Sequence, residues 1–258
     1  MRLLLAAVLV AGCGRIGFSP GETRDGAIAG DDDAARDASS ATGDAVPCAH
    51  QLCDDFESAT LAPVWMMYAA NSGTATLDTT IAHSGASSLK FSIPAVASGG
   101  SHEAIYQTET LAIGSPTFYV RAFVRFSVLA ATNNRMELIY ISEQTNGFED
   151  AVFLEDSGLA LYNEWSDATV FNGSIPPTNT WLCVTWRVTR ATDLSGSMAL
   201  AGDVPPASQP NIQTEGPTVD AMGFGVHLYG PNQGSPQPAL DMWLDDVLID
   251  ASPLACSD

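Results

Sequence analysis

The run Phe118-Tyr119-Val120-Arg121-Ala122-Phe123-Val124-Arg125-Phe126 sets the terms for everything after it. In an extended chain Phe118, Val120, Ala122, Val124 and Phe126 point to one side and both arginines to the other, the period-two pattern of a strand with one buried and one wetted face. From Cys48 onward no stretch keeps the 3.6-residue period of an amphipathic helix. Short β-rich runs recur instead, at 88–93, 117–127, 136–142, 151–154, 159–163, 181–189, 221–229 and 240–249. Turn pairs such as Ser84-Gly85, Asn172-Gly173, Pro176-Pro177 and Pro205-Pro206 separate them. Many short strands in one stretch of this length predict an all-β fold, a single antiparallel β-sandwich of the jelly-roll kind, in preference to two small domains. Hydrophobic residues make up 46% of the chain, enough to fill such a core.

The first 47 residues do not join that pattern. Met1-Arg2, an apolar run at 3–10 and the small residues Ala11-Gly12 before Cys13 have the charged start, short apolar stretch and small-residue exit of a secretory signal. The run is about half the length of a membrane-spanning helix, so it predicts a segment that is processed. Val10-Ala11-Gly12-Cys13 resembles the bacterial lipobox, which implies removal of 1–12 and a lipidated Cys13 that anchors the protein in a membrane of the cell envelope. Gly14 in place of aspartate after the cysteine implies the outer membrane under the usual bacterial sorting rule. Residues 13–47, with Asp31-Asp32-Asp33 and little that could enter a core, read as a disordered Asp/Ala/Gly/Ser-rich tether of about 30–35 Å typical span. The folded domain is expected over 48–258.

Charge narrows the partners. The chain carries 30 acidic against 10 basic side chains, for a formal net charge of -20. Nucleic-acid binding works by neutralising phosphates with Lys and Arg, so this balance excludes it as a partner. An acidic surface also opposes a polyanionic ligand unless arginines dominate the contact locally.

Several short words at the two ends of the domain point to a known fold family. Asp54-Asp55-Phe56-Glu57 followed by Trp65, Ala82-His83-Ser84-Gly85 leading into Ser88-Leu89-Lys90, Trp181-Leu182-Cys183, and the closing Trp243-Leu244-Asp245-Asp246-Val247 together resemble a concanavalin A-like or laminin G-like jelly roll. Carbohydrate-binding modules of the β-sandwich kind share this opening and closing. The resemblance implies a concave sheet that faces sugar, on a fold that serves lectins, glycoside hydrolases and polysaccharide lyases alike.

In that fold the first and last strands lie side by side and antiparallel, with residues near Asp55 facing those near Val247. Four cysteines remain after lipidation, an even number that favours two disulfides in an exported chain. The strand adjacency pairs Cys48 with Cys256 and Cys53 with Cys183; a local Cys48–Cys53 loop is the competing connectivity. A zinc site using His50, His83 or His102 is the minor alternative. Asp55 and Glu57 share one face at period two, and Asp245 and Asp246 are expected on the neighbouring strand. These four carboxylates are the candidate ligands of a structural Ca2+, which related sugar-binding sandwiches carry at this corner, against a bland reading as solvated acids.

Catalytic signatures are sparse: there is no G-x-S-x-G, no H-E-x-x-H and no Gly-rich phosphate loop. In 102–109 acid and base alternate with apolar groups, placing Glu103 on a face with Ile105 and Gln107 that could line a cleft. Lyases on this fold move protons with Tyr, His and Arg or Gln, a set that Arg125, His227 and Tyr229 could supply. Glu137, Glu143, Glu155 and Glu164 are candidate hydrolase carboxylates by type. Tyr162 and Trp165, in an aromatic and polar stretch at a strand end, read as an exposed stacking patch, with Tyr140 and Tyr229 as further platforms. Trp181, Trp186 and Trp243 read as core. The expected function is an envelope lipoprotein whose jelly roll binds a polysaccharide or cell-wall glycan through Tyr162, Trp165, Tyr229, His227 and Glu103. A lyase or hydrolase on the same scaffold, and a structural or adhesive protein with no glycan ligand, are the alternatives.

Overall fold

A computed structural model describes residues 50–69, 71–97, 101–108, 111, 113–142, 149–214, 219, 221–229 and 235–257. The expected signal segment, Cys13, the tether, Cys48 and Glu143 lie outside the described residues. Every described element is a strand, and the strands form two antiparallel sheets face to face.

The long alternating run forms β6 (Thr117–Phe126) in the middle of an eight-stranded sheet. Its neighbours are β11 (Leu182–Thr189) on one side and β15 (Leu240–Asp250) on the other. Beyond β11 come β12 (Gly196–Gly202) and β13 (Ala207–Ile212); beyond β15 come β4 (Ser88–Ile93) and β3 (Thr74–Asp78). Strand β15 is long enough to meet two partners along one edge. Its first half pairs with β4 and its second half with β1 (Leu52–Asp54), where Asp54 faces Val247 as the fold family implies.

The second sheet has the order β10 (Ala168–Phe171), β9 (Gly158–Asn163), β8 (Glu149–Glu155), β7 (Arg135–Ser142), β14 (Ala221–Tyr229), β5 (His102–Thr108) and β2 (Trp65–Ala69). Phe118, Val120, Ala122, Val124 and Phe126 of β6 meet Met222, Phe224, Val226 and Leu228 of β14 in one continuous core, all of them nearly inaccessible to solvent. Burying side chains of that size contributes about 1.5–3 kcal/mol each against leaving them in water. Trp65 closes one end of this core, edge-on to Phe224 with ring centroids 5.4 Å apart and 6.1 Å from Phe56. Its indole N–H donates to Asp54, whose other oxygen accepts the Phe56 N–H.

The wetted face expected for β6 is covered. Arg121 is buried, its guanidinium over the Phe123 ring and donating to the Ala255 carbonyl of the C-terminal tail. Arg125 and Lys90 both stand over Trp243, whose N–H donates to Asp78 at 2.7 Å. Trp243 is thus buried beneath cations on the outside of the eight-stranded sheet and does not join the sandwich core, whereas Trp186 does. Trp181 sits partly exposed and donates to the Ala82 carbonyl.

The tail also corrects the disulfide pairing. Cys183 is bonded to Cys256, with Cα atoms 5.8 Å apart. Strand β1 lies on the far side of β15 from β11, so Cys53 cannot reach Cys183 without crossing both β15 and β6. The tail after Asp250 makes that crossing instead, passing over Arg121 to β11. Cys53 is itself disulfide-bonded, to a partner outside the described residues.

Candidate active site on the seven-stranded sheet

Side chains on the core side of β14 alternate with Gly223, Gly225, His227 and Tyr229 on the open side. The register of this strand breaks against β7: Phe224 faces Ile139 and His227 faces Glu137, leaving Gly225 and Val226 opposite Leu138 alone. Such a bulge bends the strand and re-aims its side chains. Gly225 takes φ 143°, which only glycine adopts readily, and this lets the bulge form. Strand β7 carries its own extra residue at Leu138 against β8, so Glu137 is turned outward beside His227. On the other flank β5 stays in register and sets Glu103 directly across from His227.

A row of carboxylate, imidazole and carboxylate results. His227 Nδ1 lies 2.8 Å from a Glu137 oxygen, and Nε2 lies 3.0 Å from the Ser101 hydroxyl and 3.6 Å from Glu103. The Ser101 hydroxyl also reaches Glu103. With Nδ1–H donated to Glu137, the second ring nitrogen, Nε2, is the one that faces Ser101 and Glu103. Two residues along, the Tyr229 ring is tilted against His227 at 5.1 Å. Tyr229 accepts a hydrogen bond from Arg135 at 3.1 Å, and Arg135 Nε donates to Glu155 at 2.5 Å. The guanidinium also lies over the rings of Phe153, at 4.4 Å, and Tyr162, at 5.3 Å.

Burial pushes the Tyr229 phenol well above its usual pKa, and the Glu137 charge adds to this against the opposing pull of Arg135. The phenol is therefore a proton donor at neutral pH. Burial works against the charge of Arg135, but Glu155 and Tyr229 outweigh it and hold the guanidinium firmly protonated. Burial and the acids Glu164 and Asp167 likewise raise the Tyr162 phenol.

Of the residues expected to contact glycan, Glu103, His227, Tyr229 and Tyr162 come together on this face. Trp165 stands at its edge, 41% exposed in the turn after β9. At the opposite edge β2 exposes Met66, Met67 and Tyr68. Glu137 and Glu155, candidates by residue type, join the cluster, while Glu164 lies in the turn beside Trp165. Arg125 does not belong to the site: it is on β6 in the other sheet, over Trp243. Arg135 takes its place, a residue no local pattern distinguishes because its role depends on cross-strand register.

The expected calcium ligands lie elsewhere, at the corner where β1 meets β15. A second bulge gives Asp246 φ 47° and buries Asp245. Asp245 accepts backbone N–H bonds from His83, Ser84 and Asp246; Glu57 accepts from Ala86 and Ser87; Asp246 takes the His83 ring and the Ser84 hydroxyl. Asp55 accepts the Glu57 N–H. The carboxylates are engaged as acceptors that hold the loop at 82–87. Among the described residues no three His, Cys, Asp or Glu side chains converge as metal ligands, whereas calcium asks for about six to eight oxygens. Burial, opposed by these amide bonds, raises Asp245 to about 6.

Residues 55–252 match the Cip1-like core domain of the polysaccharide lyase-like group. The chain belongs to this Cip1-like family. Among solved structures, the cellulose-induced protein Cip1 superposes with a TM-score of 0.58 at 22% identity, covering 80% of this chain and 99% of its own. An endo-β-1,4-glucuronan lyase from the fungus Trichoderma reesei matches with a TM-score of 0.53 at 12% identity, covering 79% and 92%. Alginate lyase vAL-1 from Chlorella virus matches with a TM-score of 0.55 at 9% identity, covering 72% and 93%. No curated protein matches the sequence. The Cip1-like domain is thus a carbohydrate-related jelly roll, and these structures share its fold.

Proposed function

We propose that the chain is a polysaccharide lyase whose glycan lies on the open face of the seven-stranded sheet. The observation that carries this reading is the placement, side by side, of an imidazole braced by Glu137 and a protonated phenol held by a guanidinium. Both ends of a β-elimination are then provided for. His227 Nε2 takes the proton on the ring carbon next to a uronic carboxylate. Its electrons form the new ring double bond, the bond to the glycosidic oxygen breaks, and that oxygen takes the Tyr229 proton. Arg135 stabilises the phenolate left behind. Glu137 positions the ring and does not touch the sugar. The glucuronan and alginate lyases of the same fold lend the reading their chemistry by analogy.

A second reading, binding without turnover, is favoured by the glutamates of this face, Glu155 beside Arg135 and Glu103 and Glu137 beside His227, which would repel an approaching carboxylate. Ultraviolet absorbance of the unsaturated uronyl end, followed on a panel of polysaccharides, separates the two. The lyase reading expects product from at least one polymer, lost in His227→Ala and Tyr229→Phe while retention on that polymer persists. Selective retention with no unsaturated product from any polymer would leave a binding module.

The proposal includes export and lipid anchoring at Cys13, resting on the residues at 1–13. Mass spectrometry of the mature amino-terminal peptide tests it: a diacylated or triacylated cysteine is expected, and an unmodified one would remove the anchor.

A further inference from the structure

Between Cys48 and Asp258 the chain has six Lys and Arg residues: Lys90, Arg121, Arg125, Arg135, Arg187 and Arg190. Five belong to the eight-stranded sheet. Lys90 is on β4, Arg121 and Arg125 on β6, Arg187 on β11, and Arg190 directly after it. Arg135 is the single one on the seven-stranded sheet. None of the residues of 48–258 outside the described ones is a lysine or arginine, so they add no cation of that kind to the face. Arg135 is committed to Glu155 and to the Tyr229 oxygen. Beside it stands Glu155, and Glu103 and Glu137 flank His227 on the same face.

A homopolymeric polyuronate laid across these strands would place a carboxylate on every sugar. One of them could approach Arg135; its neighbours would meet glutamates or uncharged side chains. Like charges a few ångströms apart on a partly desolvated surface repel by enough to decide between ligands. At the flanks the face offers Phe171, Tyr162 and Trp165 on one side and Met66 and Tyr68 on the other, groups that suit the apolar face of a neutral pyranose.

We infer that the substrate is a heteropolysaccharide whose uronates are separated by neutral sugars, with one carboxylate at the reacting ring and uncharged rings on either side. This rests on the lyase reading and adds a rule of charge spacing to it. One cation serves one carboxylate, and the aromatic flanks serve the rest.

The test uses the full chain and three probes of graded carboxylate spacing: gellan with widely spaced glucuronates, unsulfated hyaluronan with alternating ones, and glucuronan with a continuous run. Retention and formation of unsaturated ends are measured at low and at high salt. Retention is expected to fall from gellan to glucuronan by about tenfold or more at low salt. Salt should narrow the gap, because it screens the repulsion that causes it. Glu155→Gln, which releases Arg135 from its partner, should shift preference towards glucuronan. Strongest retention of glucuronan at low salt, weakening as salt is added, overturns the spacing rule. Should no polymer yield unsaturated ends, the lyase reading fails, while the order of retention still decides the rule of charge spacing.

Discussion

Tyr140 fills the space where Gly223 would carry a side chain: a Cβ there would lie 2.1 Å from two carbons of the ring. The two residues face each other across β7 and β14, and Tyr140 packs with Ile105 and Ala151 in a small cluster on the open face. This part of the open face is therefore floored by an aromatic ring resting on bare backbone. Gly223→Ala should displace that ring and cost about 1–3 kcal/mol, as overpacking does. Thermal melting checks the stability, and polysaccharide retention should weaken with it. An unaltered melting curve would mean that the ring moves aside freely.

His227 depends on Glu137 for its orientation. Glu137→Gln keeps the size of the partner and removes its charge, and should lower kcat by about tenfold to a hundredfold with little change in KM. A fall in kcat with a displaced pH profile identifies a positioning role. Loss of retention alone would place Glu137 among the sugar contacts.

Asp245 gives stability a distinctive pH dependence. Its pKa in the folded chain is about 6, above the ordinary carboxylate value of 3.8. The folded state therefore binds more protons than the unfolded state between these values, so this group's contribution falls as pH rises through that window and is least favourable above about 6. The melting temperature of the natural chain, measured relative to Asp245→Asn, should rise on going from neutral pH to pH 5. The variant should be less stable throughout, because an amide cannot accept from Asp246 on one side and His83 and Ser84 on the other. No difference in pH slope between the two would remove Asp245 as the cause.

Calcium at this corner is a proposal that the same titration tests. A cation held by Asp245 and Glu57 needs the ionised carboxylate, so added calcium should raise the melting temperature at neutral pH and do so less at pH 5. A curve indifferent to chelator and to calcium would leave the loop to its amide hydrogen bonds.

Cys183 and Cys256 close a loop over 73 positions. Replacing both with serine should cost about 4 kcal/mol on the chain-entropy account, read from denaturant unfolding under oxidising conditions. A loss below about 1 kcal/mol would mean that β11 and the tail hold together without the bond.

The strands that could be read from the sequence are those whose pattern is complete in themselves. β4 and β14 match their apolar runs residue for residue, and β6 and β15 differ by one residue at an end. β12 begins and ends in glycine and β13 contains Pro210, so neither advertises a strand. They exist because β11 offers β12 a paired edge and β12 offers one to β13. Period two told which residues of β6 share a face, but not that the opposite face would be covered by a tail and by its own cation–aromatic contacts. The same limit explains the arginine. Arg125 and His227 each sit on a convincing strand, yet local pattern does not say which sheet a strand joins, and only the register of β7 against β14 brings Arg135 to Tyr229. The cysteine pairing failed because it used the adjacency of β1 and β15 and had no information about where the chain goes after β15.

That final passage has a consequence for durability. A protease that cuts the exposed peptide just after Asp250 would release nothing, because the clipped end stays fastened to β11 through Cys256. An exopeptidase working inward from the carboxyl side meets the same knot at Cys256. Strand β15, which lies just before the tail, is thus shielded from trimming, and the protection lasts as long as the surroundings stay oxidising.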